Sequence, residues 1–143
     1  MEIAVRYFTR SGNTKALADA VAEAVGVSAA DVSEPLAARV DVLFLGSSVY
    51  GADFDPDVGT FLDENADRIG TVVCFGTSAT GKSTFKKIRV RAELNGLRVW
   101  DDNFNCPGRF LFLHKSRPNR EDLEAAAVFA GSVLASLPEQ EQA

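Results

Sequence analysis

The chain predicts an α/β fold with a mainly parallel sheet. Apolar runs alternate with helical patterns from end to end, two of those runs (40–46 and 71–75) suit strands covered on both faces, and the first passes through a tight polar turn into a helix. The 143 residues are read as one domain over 1–137, large enough for a real core, with a polar tail at 138–143.

The first strand is expected over 2–8, followed by a helix from Lys15 to about Val25 whose inward stripe is Leu17, Ala20, Val21 and Ala24, with Gly26 as its stop. A weak second strand falls at 27–32. The segment 33–39 is short for a crossover to the third strand, so a compact connection with one helical turn is expected there. Strand three is Val40 to Gly46. Asp55-Pro56 reads as an N-cap and first helical residue, opening a helix with Val58, Phe61 and Leu62 inward. Strand four follows at Thr71 to Phe75. A helix over 82–94 carries Phe85, Ile88 and Ala92 on one side, and a fifth strand begins at 97–100. The last helix starts near Asn119, places Glu121 and Asp122 in its first turn, and buries Leu123, Ala126, Ala127, Ala130, Val133, Leu134 and Leu137.

The turn Thr9-Arg10-Ser11-Gly12-Asn13-Thr14 carries the chemistry. Thr9, Ser11 and Thr14 offer hydroxyls, Asn13 an amide, Gly12 a tight bend, and the helix behind them its first N–H groups, so the turn can hold a phosphate without metal. Such a cluster also serves as a plain polar turn with a helix cap. Here every specified position and the strand-turn-helix context resemble the phosphate loop of the flavodoxin family, which binds flavin mononucleotide (FMN). Five strands with intervening helices match the doubly wound order 2-1-3-4-5, a three-layer α/β/α sandwich of which flavodoxin is the standard example. The right-handed crossover rule then leaves a crevice at the carboxyl ends of strands one and three.

That resemblance implies two further loops at the same edge. In the first, Ser48, Val49, Tyr50, Gly51 and Ala52 line the flavin, with Tyr50 against the ring and Gly51 able to change conformation as the ring is reduced. A surface aromatic and an ordinary turn glycine are the plain alternatives. In the second, Gly76, Thr77, Ser78, Ala79 and Gly81 edge the pyrimidine side with backbone amides. The stretch 76–83 is also a complete Gly-x-x-x-x-Gly-Lys-Ser match, which by pattern is an ATP or GTP site with Lys82 on the phosphates and Ser83 on magnesium. Context disfavours it: only 60 residues follow Ser83, and Arg98 interrupts the best later magnesium segment.

The implied function is a low-potential one-electron carrier. FMN supplies the redox chemistry, while Asp53, Asp55 and Asp57 would oppose negative charge on the reduced ring. No aromatic lies within 76–84, so either Phe104 or Phe110 covers the second face of the ring, or that face is open to a nicotinamide nucleotide or quinone, as in an NAD(P)H:quinone-type reductase. Residues 102–110 and 117–123 resemble the last third of small bacterial flavodoxin-like proteins. The run Phe110-Leu111-Phe112-Leu113 could cover the cofactor, add a strand or face a partner, and the lone His114 reads as a surface residue.

Exclusions follow from charge and cysteine count. Fifteen Lys and Arg against 20 Asp and Glu argue against nucleic acid and suggest redox partners with basic docking surfaces. Cys74 and Cys106 are far apart and form no metal or dithiol motif; Cys74 reads as core and Cys106 as a buried or idle thiol, the alternative being a thiol that approaches the ring or a partner's cofactor. No leader and no membrane-length apolar run is apparent, so a cytoplasmic protein is expected.

Overall fold

The computed structural model describes residues 1–48, 53–78, 82–108 and 116–142, the last five by backbone alone. Its five strands are β1 (Ile3–Tyr7), β2 (Ala29–Asp31), β3 (Val40–Ser48), β4 (Ile69–Ser78) and β5 (Arg98–Pro107). They form one parallel sheet in the order β2-β1-β3-β4-β5, so the expected 2-1-3-4-5 winding is present. The helices are α1 (Asn13–Val25), α2 (Pro56–Asn65), α3 (Phe85–Leu94) and α4 (Arg120–Gln142), with a 3₁₀ turn at Ala66–Arg68.

The two faces of β3 explain the layers. Val42 and Phe44 enter one core with Leu17 and Val21 of α1 and Ala130 and Val133 of α4. Leu43 and Leu45 enter the other with Phe61 and Leu62 of α2 and Ile88 and Ala92 of α3. A period-2 strand that is apolar at both parities must be covered twice, and here it is. On α1 the buried alanines are Ala18 and Ala22. Of the other expected positions Ala20 is half-buried and Ala24 exposed, because α1 packs on both sheet and α4 and its stripe is rotated accordingly.

The strands run further toward their carboxyl ends than the apolar runs suggest. Ser47 and Ser48 pair with Gly76 and Thr77, so the first residues of each expected loop are strand. On β5, Val72 pairs with Val99 but Cys74 with Asn103, a bulge that takes up the polar Asp101-Asp102. Residues 103–107, expected past the strand, therefore belong to it.

Between β2 and β3 there is no helical turn. Asp31 closes a tight turn, its side chain accepting from the Ser33 N–H (2.8 Å) and its carbonyl from the Glu34 N–H (2.9 Å). Pro35 then disfavours helical backbone at the residue before it, Glu34. The crossover is pinned at Leu36, whose N–H donates to Asn65 Oδ1 (3.0 Å) and whose carbonyl accepts from Arg68 (2.9 Å).

The starts of α2 and α4 are set by side chains. Asp55 caps α2, accepting from the Asp57 N–H, with Pro56 at the first position. Asn119 and Asp122 cap α4 reciprocally, at 3.0 and 2.8 Å. The helix expected from Lys82 begins three residues later, since Thr84 takes the cap position. The backbone of α4 continues as helix to Gln142, through residues expected as a tail.

Both thiols are buried. Burial pushes Cys74 up to about 12, and burial with the Asp122 carboxylate does the same for Cys106. Neither thiol is expected to react with a disulfide reagent at neutral pH until urea unfolds the chain. Reaction of one equivalent in the native state would mark a face of β4 or β5 that opens.

Candidate functional site

Three strand ends meet in a triangle of hydroxyls. Thr14, in the first turn of α1, places Oγ1 2.5 Å from Ser48 Oγ and 3.0 Å from Thr77 Oγ1, while the last two are 3.3 Å apart. All three residues are buried. Each hydroxyl brings one proton and spare lone pairs, so a ring of donors satisfies the three without water. The triangle ties the segments after β1, β3 and β4 to one point. It also turns the Thr14 hydroxyl inward, away from the outer face of the turn where it was expected to donate.

Around that point the turn 9–12 is shaped by its own backbone. Thr9 Oγ1 accepts from the Gly12 N–H at 2.9 Å, and Gly12 sits at φ 89°, a left-handed conformation that suits glycine. The first intrahelical bond runs from the Ala16 N–H to the Gly12 carbonyl (3.1 Å), so the N–H groups of residues 13–15 precede the helical ladder and lie at the positive end of α1. Ser11 is exposed and Asn13 half-buried. A fourth segment closes in from β5: the Gly108 N–H donates to the Ser78 carbonyl at 3.2 Å, and a Cβ at Gly108 would come within 3.0 Å of Asn13 Nδ2. The edge is thus a cluster of short neutral donors at the switch between strands β1 and β3.

Arg10 brings the one charge of the turn. Its Nη2 lies 2.8 Å from Asp55 Oδ2, the side chains being 61% and 8% exposed. The other oxygen of Asp55 caps α2. This bridge ties the turn to the far end of the segment containing Val49, Tyr50, Gly51 and Ala52, which lie outside the described residues. Asp53 is exposed, 3.8 Å from Lys87. Asp55 and Asp53 therefore face cations and do not form the unopposed acidic crowd expected from their spacing.

On the β4 side, Gly76, Thr77 and Ser78 end the strand, while Ala79 and Gly81 lie outside the described residues. Lys82 is exposed and precedes α3. Ser83 Oγ accepts from the Phe85 N–H (3.1 Å) and from Asn105 Nδ2 (3.0 Å). A P-loop needs its Lys and Ser within the first helical turn, where backbone N–H groups cradle phosphate. Here they form a capping turn instead. Phe104 packs on Phe129 of α4, ring centroids 6.0 Å apart, and so is committed to the core; Phe110 through Leu113 and His114 lie outside the described residues.

The fold and this edge define a flavodoxin-type α/β protein. A family model described as a flavodoxin domain matches residues 4–136, and the chain belongs to that family. Among solved structures it is similar to a flavodoxin from the domain Archaea (TM-score 0.80, 19% identity, covering 96% of this chain and 99% of that one). It is also similar to oxidised flavodoxin 1 from Bacillus cereus (TM-score 0.72, 19% identity, 94% and 98% covered). A flavodiiron core from Synechocystis sp. PCC6803 matches at TM-score 0.75 and 16% identity, over 96% of this chain but 36% of that one. Among curated proteins there is no significant match. Among the described residues, no helix is long and apolar enough to cross a membrane.

Proposed function

We propose that this chain binds FMN and passes single electrons between partner proteins. The observation that carries the reading is the turn 9–14, whose left-handed Gly12 opens α1 in front of a ring of neutral donors, in a chain of the flavodoxin family. The donor set fits the group: a phosphate monoester suits short hydroxyls and amides at a helix start. Ser11, Asn13 and the backbone N–H groups of 13–15 would hold the phosphate, and residues 48–52 and 76–81 would flank the ring. When bound, FMN supplies one- and two-electron redox chemistry.

The remaining work is done by the chain. Thr14, Ser48 and Thr77 set the spacing of the loops, Gly108 closes the cluster behind Asn13, and α1 presents its positive end to the phosphate. The low potential inferred from three aspartates has less support, because Asp55 is matched by Arg10 and Asp53 by Lys87. A potential nearer that of free FMN is expected. A reductase is the second reading, favoured by one observation: Phe104 is held against α4, and no aromatic lies within 76–84, which leaves one ring face without an evident cover among the described residues.

Reconstitution of purified apoprotein with FMN and riboflavin, followed by anaerobic reductive titration, tests the proposal. FMN bound more tightly than riboflavin, with two resolved one-electron steps, is the expected result. Rapid NAD(P)H oxidation with a quinone acceptor would favour the reductase. Failure of any flavin to bind would sink both.

A further inference from the structure

The sign of the surface beside these loops differs from that of the whole chain. Five of the 15 Lys and Arg residues fall between 82 and 94, against one acid, Glu93. Two of them are neutralised: Arg89 by Glu93 and Asp101 (2.7 and 3.0 Å), and Arg91 by Asp63 (2.5 Å). Lys82 and Lys86 have no ion-pair partner among the described residues, and Lys87 has only the loose contact with Asp53.

An apolar floor lies within this rim. Lys86, Val90 and Leu94 follow one another at four-residue spacing, one row down α3, and Val90 and Leu94 are 60% and 79% exposed. With Phe54 they line an open groove of about 420 Å³, whose remaining walls are Lys87, the Asp63-paired Arg91 and one carboxylate, Asp53. Aliphatic side chains exposed in a row and framed by ammonium groups are the usual makings of an interaction surface. One end of the groove is also fixed in place: Asp53, which lines it, adjoins in sequence the segment 49–52 assigned above to the flavin.

We propose that this groove docks an acidic redox protein, one presenting carboxylates around an exposed apolar side chain. The proposal rests on the flavin reading for the word redox and on charge and exposure for the word acidic. The rim would steer carboxylates to the groove, while Val90, Leu94 and Phe54 would lose water against the partner's apolar group. This reverses the expectation of a basic partner drawn from net charge, because docking responds to the local field within a Debye length of about 8 Å.

The test uses a short synthetic helix bearing glutamates and leucines, with its lysine counterpart as control, followed through the methyl NMR signals of Val90 and Leu94. The acidic peptide is expected to shift both signals, to weaken with added salt, and to bind about tenfold more weakly to K86E/K87E. With FMN bound, it is expected to slow oxidation of the reduced protein by hexacyanoferrate. Shifts with the lysine peptide, or with neither peptide, would overturn the proposal. So would phosphatidylglycerol vesicles shifting these methyls where the acidic peptide does not, since the surface would then be a membrane contact. Peptide binding without slowed oxidation would overturn the redox assignment. If FMN itself fails to bind, the flavin reading falls, while the methyl shifts still decide whether the groove takes an acidic protein.

Discussion

Replacing Gly76 by alanine is expected to lower stability by about 2–3 kcal/mol and to weaken FMN uptake at least about tenfold. Gly76 lies opposite Ser47 in the β3–β4 ladder, at the middle of the sheet. A Cβ there would stand under 3.0 Å from the Ser47 carbonyl oxygen, with Asn105 Oδ1 at 3.2 Å on the other side. The obstacle is backbone within a paired strand, so no side-chain rotation relieves it. The strands must part where Ser48 and Thr77 meet Thr14, and the spacing of the loops changes with them. Gly131→Ala is the control. It sits on an exposed face of α4 with nothing within 4 Å of its Cβ, and alanine there is expected to be neutral or to add about 0.5–1 kcal/mol. Urea midpoints and calorimetric FMN titration give both quantities. An unchanged midpoint for Gly76→Ala would show that the strand ends are looser than the contact implies.

The fold was legible in the sequence wherever burial alone decided it. Val40 to Leu45 could only be a strand covered twice, and Asp55-Pro56 carries its own start signal. Polar residues at the site edge hid the rest. Ser47, Ser48, Thr77 and Ser78 look like loop residues because hydroxyls are common in turns, yet they extend β3 and β4, and the Thr14 triangle and the Ser47–Thr84 contact at 3.2 Å offset the burial of the first three. Asp101 and Asp102 masked β5 because a bulge breaks the two-residue period. In the crossover, where chain length alone suggested a turn of helix, the chain is held by the Asp31 turn and by the bonds of Leu36 to Asn65 and Arg68, which have no local signature. At the site itself, the motif announced a phosphate loop, but the pairing of Arg10 with Asp55, 45 residues away, had no local signature. Charges that close across such a distance are set by topology, and only the coordinates bring them together.

That pairing yields the second large effect. Arg10→Gln is expected to cost about 1–2 kcal/mol, because it leaves the nearly buried Asp55 carboxylate with its cap bond alone; the exposure of Arg10 keeps the figure below that of a fully buried pair. Asp55→Asn keeps an oxygen for the Asp57 N–H, since asparagine caps as well as aspartate, and removes only the charge. The two single variants are therefore expected to lose similar amounts and the double variant little more, a coupling of about 1 kcal/mol. Flavin binding separates two roles for Arg10. If the guanidinium stays with Asp55 and the phosphate is held by neutral dipoles, Arg10→Gln disturbs only the placement of the loops, and FMN and riboflavin should weaken by the same factor, about three- to tenfold. If the guanidinium leaves Asp55 for the phosphate, FMN alone should suffer, because riboflavin has no phosphate to lose. Fluorescence titration of both flavins against the parent and Arg10→Gln distinguishes these outcomes. A loss confined to FMN would show that the turn needs a cation, contrary to the neutral anchor argued here.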